Sequence, residues 1–169
     1  MNKSQRKSIA ERVQSILFRI EDTILASLLM LMIGLVVLQI FLRNLFDSGL
    51  VWSDSLVRTL VLWVGLVGAM VASRQGNHIT IDILDRYLPA QTKRPVNFIV
   101  ELFTASICTI AAYYSLLFVK MEFIDGGRAF AQIPTWLCEA IIPFAFTVIA
   151  LRYFMLSFVN LKKMIQSKS

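Results

Sequence analysis

The chain has 169 residues, of which 57% are hydrophobic and only 17% are charged, and its mean hydropathy is +0.67. A soluble domain of this length exposes too much of its surface to hide so much apolar area, so the composition indicates an integral membrane protein. The net charge of +6 does not indicate nucleic-acid binding, because the basic residues cluster at the ends of apolar segments rather than on one polar face. Such a distribution is typical of contact with anionic lipid headgroups.

Four apolar segments are long enough to cross a bilayer, whose hydrocarbon core of roughly 30 Å takes about 20 helical residues. They predict an all-α integral membrane protein with a single domain at 23–160, in which the four transmembrane helices cover about 23–42, 52–73, 96–119 and 135–158. The first span lacks the small-residue cleavage pattern of a signal peptide, so we interpret it as an uncleaved helix.

The positions of lysine and arginine predict the orientation in the membrane. Twelve of them lie before the first span, between the second and third spans, or after the fourth, whereas the other two connections hold only Arg43, Lys120 and Arg128. We therefore expect both termini in the cytoplasm, with residues 161–169 as a basic cytoplasmic tail. The two connections that hold these three residues then face the opposite side.

The segment at 1–22 combines basic residues with apolar residues at helical spacing, including Ile9, Val13 and Ile16. This pattern predicts an amphipathic helix in the cytoplasmic interface. The alternative is that the first span starts early, as one long tilted helix. A second patterned segment, His78–Leu88, is predicted to be a connection that lies along the membrane surface.

Ionisable residues inside membrane spans are costly unless they have partners. Asp54 and Arg58 are spaced i, i+4, so they can pair on one helix face, and Glu139 lies at a depth that would let it join them. Pro143 cannot donate to the carbonyl of Glu139, so a kink is expected near that residue.

At the cytoplasmic end, Glu101 in the third span is expected to pair with Arg152 or with Arg74. The alternative is that a membrane carboxylate binds a transported proton or cation, as in small multidrug exporters. The first span carries no charge, and each carboxylate lies near a span end, so we interpret Glu101, Glu139 and Arg152 as structural charges.

The second span carries two pairs of small residues four positions apart, Gly65 with Ala69 and Gly68 with Ala72. This spacing is typical of a helix-packing face that lets two backbones approach closely. The partner of that face is left open between another helix of this chain and a second subunit.

The sequence does not indicate an enzyme or a cofactor-binding protein. A single histidine rules out bis-histidine haem ligation within the chain, and no metal-ligand motif, phosphate loop or nucleophile–base pair is present. Cys108 and Cys138 lie inside apolar spans and are interpreted as core residues. The inverted repeat of a self-sufficient secondary transporter is also missing.

The segment from Gln39 to Pro89 carries a series of short motifs. An apolar span ends in F-x-R, a tryptophan precedes an acid, a glycine-bearing span follows, and an arginine, a histidine and an I-D pair close the series. The residues are Phe41, Arg43, Trp52, Asp54, Gly65, Gly68, Arg74, His78, Ile81 and Asp82. In their order and spacing they resemble the DctQ-like small membrane subunit of tripartite ATP-independent periplasmic (TRAP) transporters. Many members carry two adjacent acids after the tryptophan, whereas here Asp54 is followed by Ser55.

The resemblance implies a non-catalytic subunit of the bacterial inner membrane. Its partners would be a large membrane subunit that holds the substrate and sodium sites, and a periplasmic protein that delivers an organic anion. The candidates for docking that protein are Arg43, Asp47, Asp54, Arg58, Glu122, Asp125 and Arg128, while Arg74 and His78 would anchor the cytoplasmic end of span two. The alternatives are a four-span oligomeric exporter and a membrane-assembly factor without a transport role.

Overall fold

The computed structural model describes residues 3–46, 52–87, 90–129 and 133–166, and these residues form five α-helices. The helices are α1 (Lys3–Phe46), α2 (Ser53–Tyr87), α3 (Ala90–Asp125), α4 (Thr135–Glu139) and α5 (Ile141–Gln166). Four segments are long and apolar enough to cross a membrane, namely Gln14–Leu45, Ser53–Arg74, Pro95–Asp125 and Thr135–Lys162. The prediction of an all-α protein with four spanning helices is therefore confirmed.

Helix α1 continues without a break over 44 residues, and its apolar part begins at Gln14. No helix boundary separates the described residues before Thr23 from the first span, so both belong to one continuous helix. The placement of residues 1–22 in the cytoplasmic interface stays a prediction, as does the orientation of the termini.

Helix α2 extends well beyond the predicted end of the second span at Ser73. The connection predicted to lie along the membrane surface is helical as far as Tyr87. The sequence contains no proline in α2, and Pro89 follows two residues after its end. Tyr87 is the last residue of α2 that the structure describes.

The fourth span consists of two helices that are separated at Ala140, although this residue keeps right-handed helical dihedral angles. Pro143 has no amide hydrogen to donate to the Glu139 carbonyl, which is the physical reason for a break at this place. The amide of Ala140 still donates to the Trp136 carbonyl at 3.0 Å, and that of Phe144 donates to the Ala140 carbonyl at 3.4 Å. The helix is thus divided next to Glu139, and the kink expected there stays a prediction.

The helices belong to two compact units, Met1–Val71 and Ala72–Ser169. In the first unit, the buried residues of α2 recur at a seven-residue spacing, with Ser53, Leu60 and Val67 on one side. Gly68 of the same helix faces α1, since a Cβ added there would lie 3.9 Å from Leu25 Cδ1.

In the second unit, α3 packs along α5, and α4 contacts both of them. The residues between α3 and α5 are mostly small: Ala105 and Ala145 are fully buried, and Ala112 and Ala150 are nearly so. Small side chains allow two helix backbones to approach closely, which is how membrane helices gain packing energy without a hydrophobic driving force. This close contact forms the core of the second unit.

The α3–α5 contact predicts a strong effect of volume at Ala105. Leucine at this position would force the two helices apart, and we expect Ala105→Leu to lower the free energy of unfolding by about 1–3 kcal/mol. The measurement is denaturant unfolding of the purified protein in detergent. Ser106→Leu adds a similar bulk at the exposed neighbouring position and should change the stability little. Equal stability of the two variants would contradict the packing assignment.

Candidate functional site

The N-terminal end of α2 carries an exposed ion pair, as the i, i+4 spacing predicts. Arg58 Nη2 donates a hydrogen bond to Asp54 Oδ2 at 3.1 Å, and the two side chains are 81% and 65% exposed. An exposed pair contributes at most about 1 kcal/mol to stability, so its charges remain available to another protein surface. Asp54 also lies in the first turn of α2, where a negative charge meets the positive end of the helix dipole.

The loop between α3 and α4 is held by backbone hydrogen bonds. Gly126 adopts a positive φ of 66° at the end of α3, and its amide donates to the Glu122 carbonyl at 3.2 Å. The Thr135 amide then donates to the Gly127 carbonyl at 3.1 Å, and Arg128 forms an isolated antiparallel bridge with Pro134. These contacts give the described part of the loop a defined backbone on which charged side chains can be presented.

Two acidic residues lie at the base of this loop. The Glu122 carboxylate occupies the space next to Gly127, where any Cβ would collide with Oε1. Glu139 Oε2 is buried and has no hydrogen-bond partner among the described residues. The predicted association of Glu139 with Arg58 would join the two compact units and stays a prediction.

The Glu101 carboxylate has a different partner from the one that the sequence predicted. Asn160 Nδ2 donates hydrogen bonds to both of its oxygens, at 2.7 and 2.9 Å, so a neutral amide takes the place expected for Arg152 or Arg74. The expectation of an arginine partner was wrong because it considered only charged side chains. The Glu101–Asn160 contact joins α3 to α5.

Arg152 is instead hydrogen bonded to a hydroxyl group. Its Nη1 atom donates to Ser73 Oγ at 3.1 Å, which links α5 to the part of α2 that belongs to the same unit. Arg74, the next residue of α2, is half-buried. His78 lies in the helical part of α2, but its side chain lies outside the described part of the structure.

The small-residue face of α2 is divided between two environments. Gly68 faces Leu25 of α1, whereas a Cβ added at Gly65 would meet no described atom within 4 Å. Ala69 and Ala72 are exposed. A contact within the chain therefore accounts for one member of the predicted face and leaves the other three accessible.

The remaining docking candidates are at the ends of helices or in the α3–α4 loop. Arg43 is exposed in the last turn of α1, and Asp125 and Arg128 are exposed at the end of α3 and in the loop after it. Asp47 lies outside the described residues. The described candidates therefore belong to both compact units, with Arg43, Asp54 and Arg58 in the first and Glu122, Asp125 and Arg128 in the second.

An apolar groove of about 200 Å³ runs between α3 and α5. Its lining residues are Thr109, Ala112, Thr147, Ala150, Leu151 and Phe154. The hydroxyl groups of the two threonines donate to the carbonyls of Ala105 and Pro143, at 2.7 Å in both cases. The groove therefore presents no charged group that would bind an organic anion.

Comparison with known proteins identifies the family. Residues 32–163 match the family described as the DctQ component of tripartite ATP-independent periplasmic transporters. The chain belongs to this family. It is thus a TRAP transporter small permease subunit, in agreement with the motif series between Gln39 and Pro89.

Relatives of this DctQ-family chain include small permease proteins of TRAP transporters that are named for different solutes. It is 24% identical over 151 residues to the ectoine TRAP transporter small permease protein TeaB of Halomonas elongata, covering 88% of this chain and 78% of the relative. It is 30% identical over 115 residues to the C4-dicarboxylate TRAP transporter small permease protein DctQ of Rhodobacter capsulatus, covering 64% and 48%.

Another relative is a longer protein, the sialic acid TRAP transporter permease protein SiaT of Haemophilus influenzae. The chain is 32% identical to it over 84 residues, which cover 50% of this chain but only 14% of SiaT. A region similar to part of this chain therefore occurs within a much larger permease polypeptide.

Sequence reasoning missed Asn160 and Ser73, the neutral residues that form hydrogen bonds with Glu101 and Arg152. A usable signal was present, since an asparagine or serine near a span end can hydrogen bond across a helix pair. Ser55 is exposed at the position of the family's second acid, and its carbonyl accepts a bond from Thr59 Oγ1 at 3.1 Å. The N-terminal turn of α2 therefore presents a single carboxylate.

The Glu101–Asn160 contact predicts an asymmetry between single and double substitutions. Asn160→Leu leaves a buried carboxylate without its donor, and we expect the free energy of unfolding to fall by about 1–3 kcal/mol. Glu101→Leu combined with Asn160→Leu removes both partners and should recover part of that loss. Unfolding of the purified protein in detergent measures both effects.

Asn44→Leu serves as the control, because Asn44 is exposed near the end of α1. If Asn160→Leu were as stable as the parent protein, the contact would make no contribution to the α3–α5 packing.

Proposed function

We propose that this chain is the non-catalytic small permease subunit that stabilises a larger membrane subunit and helps to dock a periplasmic substrate-binding protein. The assembly imports an organic acid anion together with sodium ions across the bacterial inner membrane. Both termini of the chain lie in the cytoplasm, so the α1–α2 and α3–α4 connections face the periplasm.

The observation that carries this proposal is the position of the charged groups. Glu101 and Arg152 are hydrogen bonded to Asn160 and Ser73 within the chain, which leaves them with structural roles. Asp54 and Arg58 are exposed at the start of α2, and Asp125 and Arg128 are exposed at the end of α3 and in the α3–α4 loop. The ion and substrate sites of a coupled transporter would therefore belong to another subunit, and this chain would act through its surfaces.

The long relative supports a larger membrane partner. SiaT contains a region similar to this chain as a small part of one permease polypeptide. In SiaT, this region and the rest of the permease belong to one polypeptide. Two separate subunits would reach the same arrangement by associating in the membrane. The accessible small residues Gly65, Ala69 and Ala72 on α2 offer a surface on which a second membrane helix can approach closely.

The docking role is supported by the exposure of charges on the proposed periplasmic side. Asp54 and Arg58 are exposed at the start of α2, and Asp125 and Arg128 are exposed near the α3–α4 loop. Charges at the rim of an interface mainly steer association and suppress wrong partners. A surface of mixed sign is suited to a binding protein that must dock and leave in each transport cycle.

The proposed function predicts that transport requires all three proteins. Cells that express this chain alone should take up none of a panel of radiolabelled organic acids. Uptake should appear when the larger membrane subunit and the binding protein are added, and it should require a sodium gradient. Export of organic cations by cells that express only this chain would instead support the four-span exporter.

The ion pair at the start of α2 allows docking to be separated from folding. Asp54→Arg should raise the concentration of binding protein needed for half-maximal uptake by about tenfold, because it reverses a rim charge. Exchanging the two residues, Asp54→Arg with Arg58→Asp, restores a pair of opposite charges but reverses its pattern, so uptake should stay impaired. The measurement is uptake by proteoliposomes that hold the intact membrane complex.

Lys162→Glu is the matched control, because Lys162 is exposed at the cytoplasmic end of the fourth span in the proposed orientation. Full recovery of uptake in the exchanged variant would mean that the pair acts only within α2.

A further inference from the structure

The side of α3 that points away from α5 carries two exposed tyrosines. The buried side of the helix is formed by Glu101, Ala105, Cys108 and Ala112, at steps of three or four residues. The opposite side, which we call the outer face of α3, consists of Phe103, Ile107, Ile110 and Tyr114, with Tyr113 beside them. The two tyrosines are 60% and 64% exposed, and their rings meet edge to face with centroids 5.5 Å apart.

Both tyrosines lie deep in the apolar part of the helix. No charged residue occurs between Glu101 and Lys120, and the midpoint of this stretch lies between Ile110 and Ala111. At a rise of about 1.5 Å per residue, the tyrosine Cα atoms lie only about 4–5 Å from that midpoint along the helix axis. Tyrosines that anchor a helix in the headgroup region lie at the ends of a span instead.

The tyrosine hydroxyls differ from the other hydroxyls of α3 in their hydrogen bonding. Thr104, Ser106 and Ser115 each donate to the carbonyl four residues earlier, at 2.6–2.9 Å. A tyrosine hydroxyl is too far from its own backbone to do this. No described residue forms a hydrogen bond with the hydroxyl of Tyr113 or Tyr114. In hydrocarbon an unpaired hydroxyl is costly, so the outer face of α3 is poorly suited to lipid.

The exposed residues of α1 show the contrast. Met30, Val37 and Ile40 are exposed to a similar extent as the outer face of α3, but their side chains carry no hydroxyl or amide group. Such side chains can contact lipid acyl chains without losing a hydrogen bond.

We propose that the outer face of α3 packs against a helix of the larger membrane subunit, and that this helix offers carbonyl or amide oxygens to the hydroxyls of Tyr113 and Tyr114. The inference rests on the proposed function, which supplies the partner. The two hydroxyls specify the chemistry of the partner, because only a protein surface provides hydrogen-bond acceptors at this depth.

The first experiment is site-specific photo-crosslinking in membranes that contain the full complex. A benzophenone-bearing phenylalanine analogue replaces Tyr114 and, in a separate variant, Met30. With the analogue at Tyr114 we expect a covalent product that contains this chain and the larger subunit, and with the analogue at Met30 much less of it. Equal yields at the two positions would overturn the inference, as would a product with lipid, a second copy of this chain or another segment of the same chain.

The second experiment removes only the hydroxyl groups. Tyr113→Phe combined with Tyr114→Phe keeps both rings, and we expect the amount of larger subunit that co-purifies after a detergent wash to fall about tenfold. Tyr153→Phe, at a half-buried tyrosine of α5, should leave that amount unchanged. Unchanged co-purification of the double variant would overturn the hydrogen-bonding assignment.

The two levels of inference fail in different ways. If the unsubstituted chain does not co-purify with the larger subunit, the proposed function is wrong. If the complex forms but Tyr114 yields no product with that subunit, only the assignment of the outer face of α3 is wrong.

Discussion

Hydrocarbon offers no hydrogen-bond partner, and this constraint accounts for the polar contacts of the described helices. Serine and threonine hydroxyls of α3 donate to carbonyls of their own helix, so they need no partner outside it. Glu101 and Arg152 cannot be satisfied in this way because they are long and ionisable. Each forms a hydrogen bond with a neutral side chain on a neighbouring helix instead, and the resulting contacts join α5 to α3 and to Ser73 of α2.

The lack of hydrogen-bond partners in hydrocarbon also distinguishes polar groups that are bonded within the chain from those that are exposed to other proteins. Charges that are tied within the chain support the helix packing, whereas Asp54, Arg58, Asp125 and Arg128 are exposed at helix ends or in a loop. Under the proposed function, a subunit organised in this way acts through its contacts with other proteins. The backbone hydrogen bonds in the described part of the α3–α4 loop support that proposal, because a docking surface needs a stable backbone.

The sequence predicted the spanning helices well because the prediction of each span rests on many apolar residues together. Each span contains many apolar residues, so an error at one position does not change the result, and all four predicted spans overlap the apolar helical segments of the structure. Helix ends were less well predicted. α1 starts much earlier and α2 ends much later than the spans they contain, since helical hydrogen bonding does not stop where the bilayer does. The break near Glu139 was predictable because a single proline causes it.

Pairwise contacts across helices were the weakest part of the sequence reasoning. It expected an arginine opposite Glu101, because charge was the only property by which a partner could be chosen, and the structure places Asn160 there. It found the small-residue face of α2 but left its partner open, and the structure assigns only Gly68 to a contact within the chain. The depth of a residue follows from its position along a helix, whereas its partner depends on how two helices are rotated against each other.

The sequence by itself determined that this is a four-span, all-α membrane protein, and its short motifs indicated the DctQ family. These conclusions depend on composition, on periodicity and on the order of the motifs, which are all properties of the linear sequence. The tertiary structure decided which polar groups are satisfied within the chain, which small residues stay accessible, and that the hydroxyls of Tyr113 and Tyr114 have no described partner. These are properties of helix faces, and a face acquires its neighbours only when the helices pack.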